Sequence, residues 1–338
     1  MKNVLVTGGL GFIGHHLVKK LLEKQNMKIT VLDIKSNENV SDIFNLSEAN
    51  VSSNFENTKS FSVNNNQITF VNQDIRNMEK ILDVFDSGRF DSCIHLAAKV
   101  SVVESITNPE ETFSTNEAGT LNILEGCAKY NVGTLVFASS GAVYGEPKIL
   151  PIRENHVLEP ISPYGASKVS GEALLCSYVY SGKIKKGTSL RFFNVYGEGQ
   201  NPQYAGVITK FAERLTKNLP PLIYGDGKQT RDFIYVGDIV HAIILAAESE
   251  EFTHGYQTFN VATGRSTSVI DLAMMMMKIF GQSMQPIFEK ERIGEIRDGS
   301  ADISKIEKML EFNASVDLHS GLTIFKNFFE KNTLLHVN

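Results

Sequence analysis

The sequence predicts an α/β fold: a doubly wound parallel sheet followed by a smaller mixed α/β C-terminal lobe. Three observations predict it. Short apolar runs alternate with amphipathic stretches through the first 195 residues. A glycine cluster separates the first apolar run from the first amphipathic stretch. The second apolar run ends on an acid, Asp33.

The runs "NVLVTG" (3–8), "KITVLD" (28–33), "ITFVNQD" (68–74), "DSCIHLA" (91–97), "TLVFAS" (134–139) and "GTSLRFF" (187–193) are read as strands. They are short and rich in Val, Ile, Leu and Phe, as strands covered on both faces must be. The stretches 12–24, 109–129 and 164–180 have helical periodicity. Residues 36–66 are rich in Asn and Ser and are read as a long exposed loop with room for one helical turn. After residue 195 glycines, prolines and turns interrupt shorter elements, with helices near 205–216, 238–249, 268–280 and 318–331. The expected division is therefore 1–195 for the sheet domain and 196–338 for the lobe, with some later chain free to return to the sheet. The run "MMMM" at 274–277 reads as helix core.

Composition narrows the function classes. Hydrophobic residues make up 42% of 338, enough for a sizeable core. A net charge of −5 without blocks of like charge gives no reason to expect nucleic acid or a membrane surface as partner. No apolar run approaches the ~20 residues of a membrane helix. The N-terminal run is too short for a secretory signal and reads as a first strand. Cys93, Cys127 and Cys176 are widely spaced in apolar segments and are expected as reduced core residues. The histidines show no metal-ligand spacing, so no metal is expected, and a cytoplasmic protein is.

"VLVTGGLGFIG" carries Gly8, Gly9, Gly11 and Gly14, with Phe12 and Ile13 opening the helix. Glycines let the chain turn tightly and let a pyrophosphate approach the backbone, while the helix N-terminus offers free N–H groups and partial positive charge. The motif alone is weak. Its strand-to-helix setting, with Asp33 nineteen residues past Gly14, makes it a Rossmann-type dinucleotide site. A carboxylate there accepts from ribose hydroxyls and repels a 2′-phosphate, which favours NAD over NADP.

"YGASK" places Tyr164 and Lys168 four apart, on one helix face. A phenol with a free pKa of about 10 is a poor base. A neighbouring ammonium and the positive nicotinamide ring are expected to bring it toward working range. Y-x-x-x-K by itself is common on surface helices; the glycine loop, Asp33 and the "SSGAVYG" loop (139–145) make it a catalytic candidate.

"TGGLGFIG", "HLAA" (95–98), "SS..VYG", "YGASK", "RFFNVYG" (191–197) and "QTRDFIYVGD" (229–238) together resemble the extended short-chain dehydrogenase/reductases of the nucleotide-sugar epimerase/dehydratase group, over essentially the whole chain. Within that group the chain is most similar to the UDP-glucose and UDP-N-acetylglucosamine 4-epimerases. The resemblance implies NAD held by the Rossmann domain and a nucleotide sugar held by the lobe. It implies that Asp74 and Ile75 flank the adenine, that Leu96, Ala97, Ala98 and Asn116 line the cofactor channel, and that Phe193 borders it. It implies that Ser140 hydrogen-bonds the sugar's reacting oxygen beside Tyr164.

Related 4,6-dehydratases carry acids in the gap filled here by Gly141 and Ala142. Eliminating water needs a base and an acid at those positions. Their absence points to 4-epimerization through a transient 4-keto sugar, in which Tyr164 moves the C4 hydroxyl proton with the help of Ser140 and Lys168. By resemblance, Asn194, Arg231 and Arg292 anchor the diphosphate and ribose, with guanidinium groups suited to bidentate bonds. Tyr224 packs on uracil, Val207 and Ile208 wall the uridine site, and Glu295 reaches a ribose hydroxyl. Gly299 stands where a bulky residue restricts some epimerases to unacetylated sugars. A UDP-N-acetylhexosamine is therefore favoured, with UDP-glucose alongside. The rivals are a uronate sugar contacted through Lys99 and Ser101, and a non-catalytic NAD-binding regulator, which would be expected to lack the intact Tyr–Lys pair. A homodimer is expected by resemblance, through the helices at 109–129 and 164–180, where Leu121, Leu124, Leu174 and Leu175 are either contact or core residues.

Overall fold

The computed structural model describes every residue except 37, 45, 47–57, 201–205, 292–296 and 336–338. In chain order its strands are β1 (Asn3–Thr7), β2 (Lys28–Asp33), β3 (Thr58–Val63), β4 (Asn66–Asn72), β5 (Ser92–His95), β6 (Thr134–Ser140), β7 (Lys186–Phe192), β8 (Asn194–Tyr196), β9 (Leu222–Tyr224), β10 (Thr230–Tyr235), β11 (Gly255–Val261), β12 (Ser266–Ser268) and β13 (Ile287–Glu289). Eight of them form one sheet in the order β11-β7-β6-β5-β1-β2-β4-β3. Every neighbouring pair in it is parallel except β3–β4.

Side chains alternate across a strand, and here both faces are covered. Val4 and Val6 point into one core with Leu17, Val18 and Leu21 of the helix Phe12–Leu22. The same core takes Ile239 and Ile243 of the helix Val236–Glu248. Leu5 points the other way, into a core with Ile81 and Phe85 of the helix Met78–Gly88 and Leu175 of the helix Pro163–Tyr180. Double coverage is why these strands read as continuous apolar runs. Chain from beyond residue 195 joins this layer: the helix Val236–Glu248 packs on it and β11 pairs with β7. A third core lies in the lobe, around Phe211, Ile223, Leu272 and Met276. There β8, β10 and β12 form one small sheet and β9 and β13 another.

The structure corrects several expectations. Residues 58–66 are not loop: β3 runs antiparallel to β4 across a turn at Asn64 and Asn65, whose φ angles are 45° and 66°. Asparagine tolerates that left-handed region, and a two-residue turn with positive φ suits a hairpin. A short helix, Val40–Phe44, precedes it; residues 37, 45 and 47–57 of the loop reading lie outside the described residues. The stretch 109–129 is not one α-helix but two, Pro109–Phe113 and Gly119–Lys129, joined by a π-helical turn at Ser114–Ala118. Of the four methionines, Met276 and Met277 are core, whereas Met274 is 54% exposed. Successive helical residues turn about 100° apart, so four in a row cannot share one face. Cys93 and Cys127 are buried, but Cys176, on the outer half of its helix, is only half-buried. Among the described residues no group of three His, Cys, Asp or Glu stands ready for a metal ion, and no helix is long and apolar enough to cross a membrane.

Candidate active site

The sheet register brings the candidate residues to one edge. Thr7, at the end of β1, lies level with Leu32 on β2 and His95 on β5; Ser140 on β6 lies level with Phe192 on β7. The loops that follow these strand ends therefore share the C-terminal edge of the sheet, beside the point where β1 has β2 on one side and β5 on the other. That is where open α/β sheets bind ligands.

The loop after β1 is built for close approach. Gly8 has φ 70°, and a Cβ there would lie 2.7 Å from the Ala97 nitrogen. A Cβ on Gly14 would lie 2.2 Å from the Gly8 oxygen. The helix that starts at Phe12 has no side-chain cap and no acid in its first turn, so its N–H groups and partial positive charge are left for a ligand. Phe12 and Ile13 are half-buried. Asp33 is buried and braces the loop, accepting from the Leu10 N–H at 2.9 Å and the Lys35 N–H at 3.0 Å.

Along the edge, the Asp74 carboxylate is gripped by Arg76, which holds it below the usual carboxylate range. Ile75 is buried against Gly119, where a Cβ would come within 2.6 Å of it. Leu96, Ala97 and Ala98 are half-buried after β5. Asn116 lies in the π-helical turn, and its amide is fully engaged: Oδ1 accepts from the Lys99 N–H at 2.7 Å, and Nδ2 donates to the Lys99 oxygen and to Ser167 Oγ. It ties the channel wall to the helix that carries Tyr164 and Lys168.

That helix, Pro163–Tyr180, is capped by Ser162, whose side chain accepts from the Gly165 N–H. It sits close against β6 because Gly171 has no Cβ, which would lie 2.4 Å from the Phe137 ring; a Cβ on Gly165 would lie 2.6 Å from the Ala142 oxygen of the turn that follows β6. Lys168 is buried, its Nζ donating to the Ala138 oxygen at 2.8 Å and lying 4.9 Å from the Phe137 ring centroid. Burial lowers its pKa to about 8 against the pull of Glu172. Tyr164 is half-buried, with Lys168 Nζ 5.8 Å from its ring centroid. Burial pushes the phenol up and the hydrogen bond with Ser140 brings it down. The Lys168 ammonium is aimed at a backbone carbonyl, and Ser140 is the side chain that pulls the phenol down. Ser140 also caps the turn Gly141–Tyr144 through the Ala142 N–H.

The lobe residues are placed more unevenly. Asn194, two residues beyond Ser140's partner Phe192, is exposed and donates to the Asp232 oxygen. Its neighbour on β10, Phe233, sets Arg231 two residues away on the same small sheet. Arg231 Nη1 donates to the Thr230 oxygen at 2.8 Å, and the Gly299 N–H bonds that same oxygen. Asn194, Arg231 and Gly299 are thereby carried on one framework. Tyr224 ends β9, half-buried, and Val207 is half-buried at a helix start. Two side chains turn inward instead: Ile208 into the lobe core, and Phe193 into a small core with Val143, Tyr144 and Ala262. Arg292 and Glu295 lie outside the described residues.

A sequence model described as the NAD dependent epimerase/dehydratase family matches residues 4–262. The chain belongs to that family. A Methanocaldococcus jannaschii protein named provisionally as a UDP-glucose 4-epimerase is 39% identical over 332 residues, 97% of this chain and 99% of that one. The Thermotoga maritima UDP-glucose 4-epimerase, solved with UDP-glucose, superposes with a TM-score of 0.83 at 35% identity, covering 98% of this chain and 99% of that one. The UDP-N-acetylglucosamine 4-epimerase of Methanobrevibacter ruminantium, solved with UDP-N-acetylmuramic acid, gives 0.82 at 34% identity, with the same coverage.

As a member of the NAD dependent epimerase/dehydratase family the chain uses NAD, and its own geometry fits that cofactor. The cradle that a Cβ at Gly8 or Gly14 would fill, the uncapped helix start and the Asp33 carboxylate match a pyrophosphate and a ribose. Sequence reasoning gave no role to four buried residues near this edge: Glu172, Ser139 and Arg191, the last two both hydrogen-bonded to Glu172, and His95, hydrogen-bonded to Thr7 and Thr120. One signal was available. Glu172 follows Lys168 by four residues, so Tyr164, Lys168 and Glu172 share a helix face otherwise headed for the core.

Proposed function

We propose that this enzyme interconverts the C4 epimers of a UDP-hexose, with Tyr164 as the group that takes and returns the C4 hydroxyl proton. The observation that carries the reading is the Tyr164 phenol, pulled down by the Ser140 hydroxyl, on one helix face with the buried Lys168 and next to a gap, Gly141–Ala142, that holds neither acid nor base. Gly8, Gly11, Gly14 and Asp33 would hold NAD, with Leu96, Ala97 and Ala98 alongside. Bound there, NAD would supply the acceptor and donor of the C4 hydride and the positive charge of its oxidised ring. Ser140 keeps the sugar oxygen and the phenol in one hydrogen-bonded line, so the proton moves without reorganising solvent. Lys168 keeps a positive charge within the same shell. Asn194 and Arg231 would hold the nucleotide while the hexose turns.

For the substrate, a UDP-N-acetylhexosamine pair is favoured, with UDP-glucose and UDP-galactose alongside. A Cβ on Gly299 would already touch the Thr230 oxygen at 3.6 Å, and the glycine puts no side chain there, which supports room for an acetamido group. Lys99, the cation considered for a uronate, is paired with Glu111 at 2.8 Å and lends that rival no support. We assign residues 1–195, with the helix Val236–Glu248, β11 and the helix Ser304–Leu310, to the cofactor domain and the remaining later chain to the substrate lobe. A cytoplasmic homodimer completes the reading, its contact on the outer faces of the helices Gly119–Lys129 and Pro163–Tyr180. Leu124 and Leu175 are core residues and take no part, whereas Leu121 is 37% exposed.

The test is epimerization of UDP-N-acetylglucosamine and UDP-glucose by the wild type and Tyr164→Phe. The wild type should turn over both and the variant should lose on the order of 10² in kcat or more. Native rates in the variant would remove Tyr164 from the reaction; failure on the acetylated sugar alone would remove only the Gly299 argument.

A further inference from the structure

We propose that the buried Glu172–Arg191 ion pair is the positioning unit of the reaction centre: it clamps the end of β6 to the catalytic helix and supplies the one negative charge facing Lys168 among the described residues. The inference rests on the reading of Tyr164 and Lys168 as the reacting pair.

Two helix residues spaced by four are tied to neighbouring residues of β6. Lys168 Nζ donates to the Ala138 oxygen at 2.8 Å, and Glu172 Oε1 accepts from Ser139 Oγ at 2.5 Å. Glu172 cannot swing away, because Arg191 on β7 holds both its oxygens: Nε to Oε1 at 2.9 Å and Nη2 to Oε2 at 2.6 Å. Arg191 is itself anchored, donating through Nη1 to Tyr144 Oη at 2.7 Å and to the Glu154 oxygen at 3.0 Å. Tyr144 in turn donates to Asn260 Oδ1 at 2.6 Å. Side chains of both ion-pair partners are 5% exposed.

Such a pair gains little stability over apolar residues of the same shape. Apolar residues, however, would leave Lys168 alone in a dry site. The groups that face Lys168 are Tyr164 and Glu172 on its own helix, the Phe137 ring and Ala138 oxygen on β6, and His95 on β5, with Arg191 behind Glu172. His95 is neutral: burial, then Lys168, lowers its pKa to about 3. It hydrogen-bonds Thr7 and Thr120 and offers Lys168 no counter-charge. Glu172 therefore favours the ammonium, and Arg191 tempers Glu172.

The two singles should consequently act in opposite directions. The Lys168 titration is followed by NMR of [13Cε]lysine-labelled full-length protein, assigned with Lys168→Met, and compared with the pH profile of kcat/KM. Glu172→Gln should lower the midpoint by about one pH unit or more, Arg191→Met should raise it, and Glu172→Asp should restore the wild-type midpoint. The basic limb of kcat/KM should move with it. If Glu172→Gln does not fold, the double variant Glu172→Met/Arg191→Met, neutral in sum, should still lower the midpoint. Shifts of the same sign in both singles, or an unmoved midpoint in either Glu172→Gln or the double variant, overturn the proposal. The NMR arm needs no turnover, so it stands or falls separately from the assignment of Tyr164 to the chemistry.

Discussion

Lys168 is held in the fold against its own preference. Its folded pKa, about 8, lies below its ordinary value of 10.5 because burial disfavours the ammonium. A group whose charged form is disfavoured on folding weakens the fold most where it is fully protonated, below pH 8, and the penalty fades between pH 8 and about 10.4. Lys168→Met should therefore raise the unfolding free energy at pH 7, by up to about 3 kcal/mol, while abolishing turnover. Urea unfolding at pH 7 and pH 10 checks this: the gain should shrink at the higher pH. Turnover carries the opposite sign. If the ammonium is the working form, kcat/KM should fall as pH rises through about 8. The residue types of this centre were legible: Tyr164, Lys168 and Ser140 follow from spacing and resemblance. Their electrostatics were not, because the direction of the Lys168 Nζ, toward the Ala138 carbonyl, depends on a strand distant in sequence.

The elements follow the same division. Buried central strands were readable since both faces are apolar, and the helices on them showed their periodicity. The hairpin β3–β4 was hidden because its outer strand, "TKSFSV", is polar at four of six positions, three of them in a row, and looks like loop until Asn64 and Asn65 are seen at positive φ. The π-helical turn was hidden as well: one extra residue in a helix leaves no compositional trace. The phosphate loop makes a sharp prediction at this scale. Gly14→Ala should overpack the turn against Gly8 and Gly9, at about 1–3 kcal/mol, and weaken NAD binding with it. Fluorescence titration with NADH and a melting curve separate the two effects. Ser162→Ala removes the cap of the catalytic helix and should cost about 1 kcal/mol, measurable in the same melts.

On the scale of the molecule, the lobe is not a simple appendage. The chain leaves β7 into β8, enters the lobe, comes back through the helix Val236–Glu248 and β11, crosses the lobe again, and returns once more through the helix Ser304–Leu310 before finishing in the lobe. Asn194 opens β8 with one residue between it and the end of β7, and Arg231 stands on its partner β10, so the small sheet that would grip the nucleotide is joined by a short link to the strand beside Ser140. Assembly is tested from outside. If the outer faces of the helices Gly119–Lys129 and Pro163–Tyr180 form the dimer, Leu121→Glu should halve the mass seen by light scattering; an unchanged dimer would place the contact elsewhere.

By itself the sequence determined what is local or periodic: the strand order of apolar runs, the glycine turn, Asp33 at the end of β2, and the Tyr–Lys face of one helix. Tertiary structure alone decided which side chains are available to a ligand. Ile208 and Phe193 turn into cores, Asn116 is occupied by Lys99 and Ser167, and Arg191 reaches Glu172 from the next strand. Those outcomes depend on neighbours brought together by sheet pairing, and a chain read in one dimension carries the residue types of such neighbours but not their proximity.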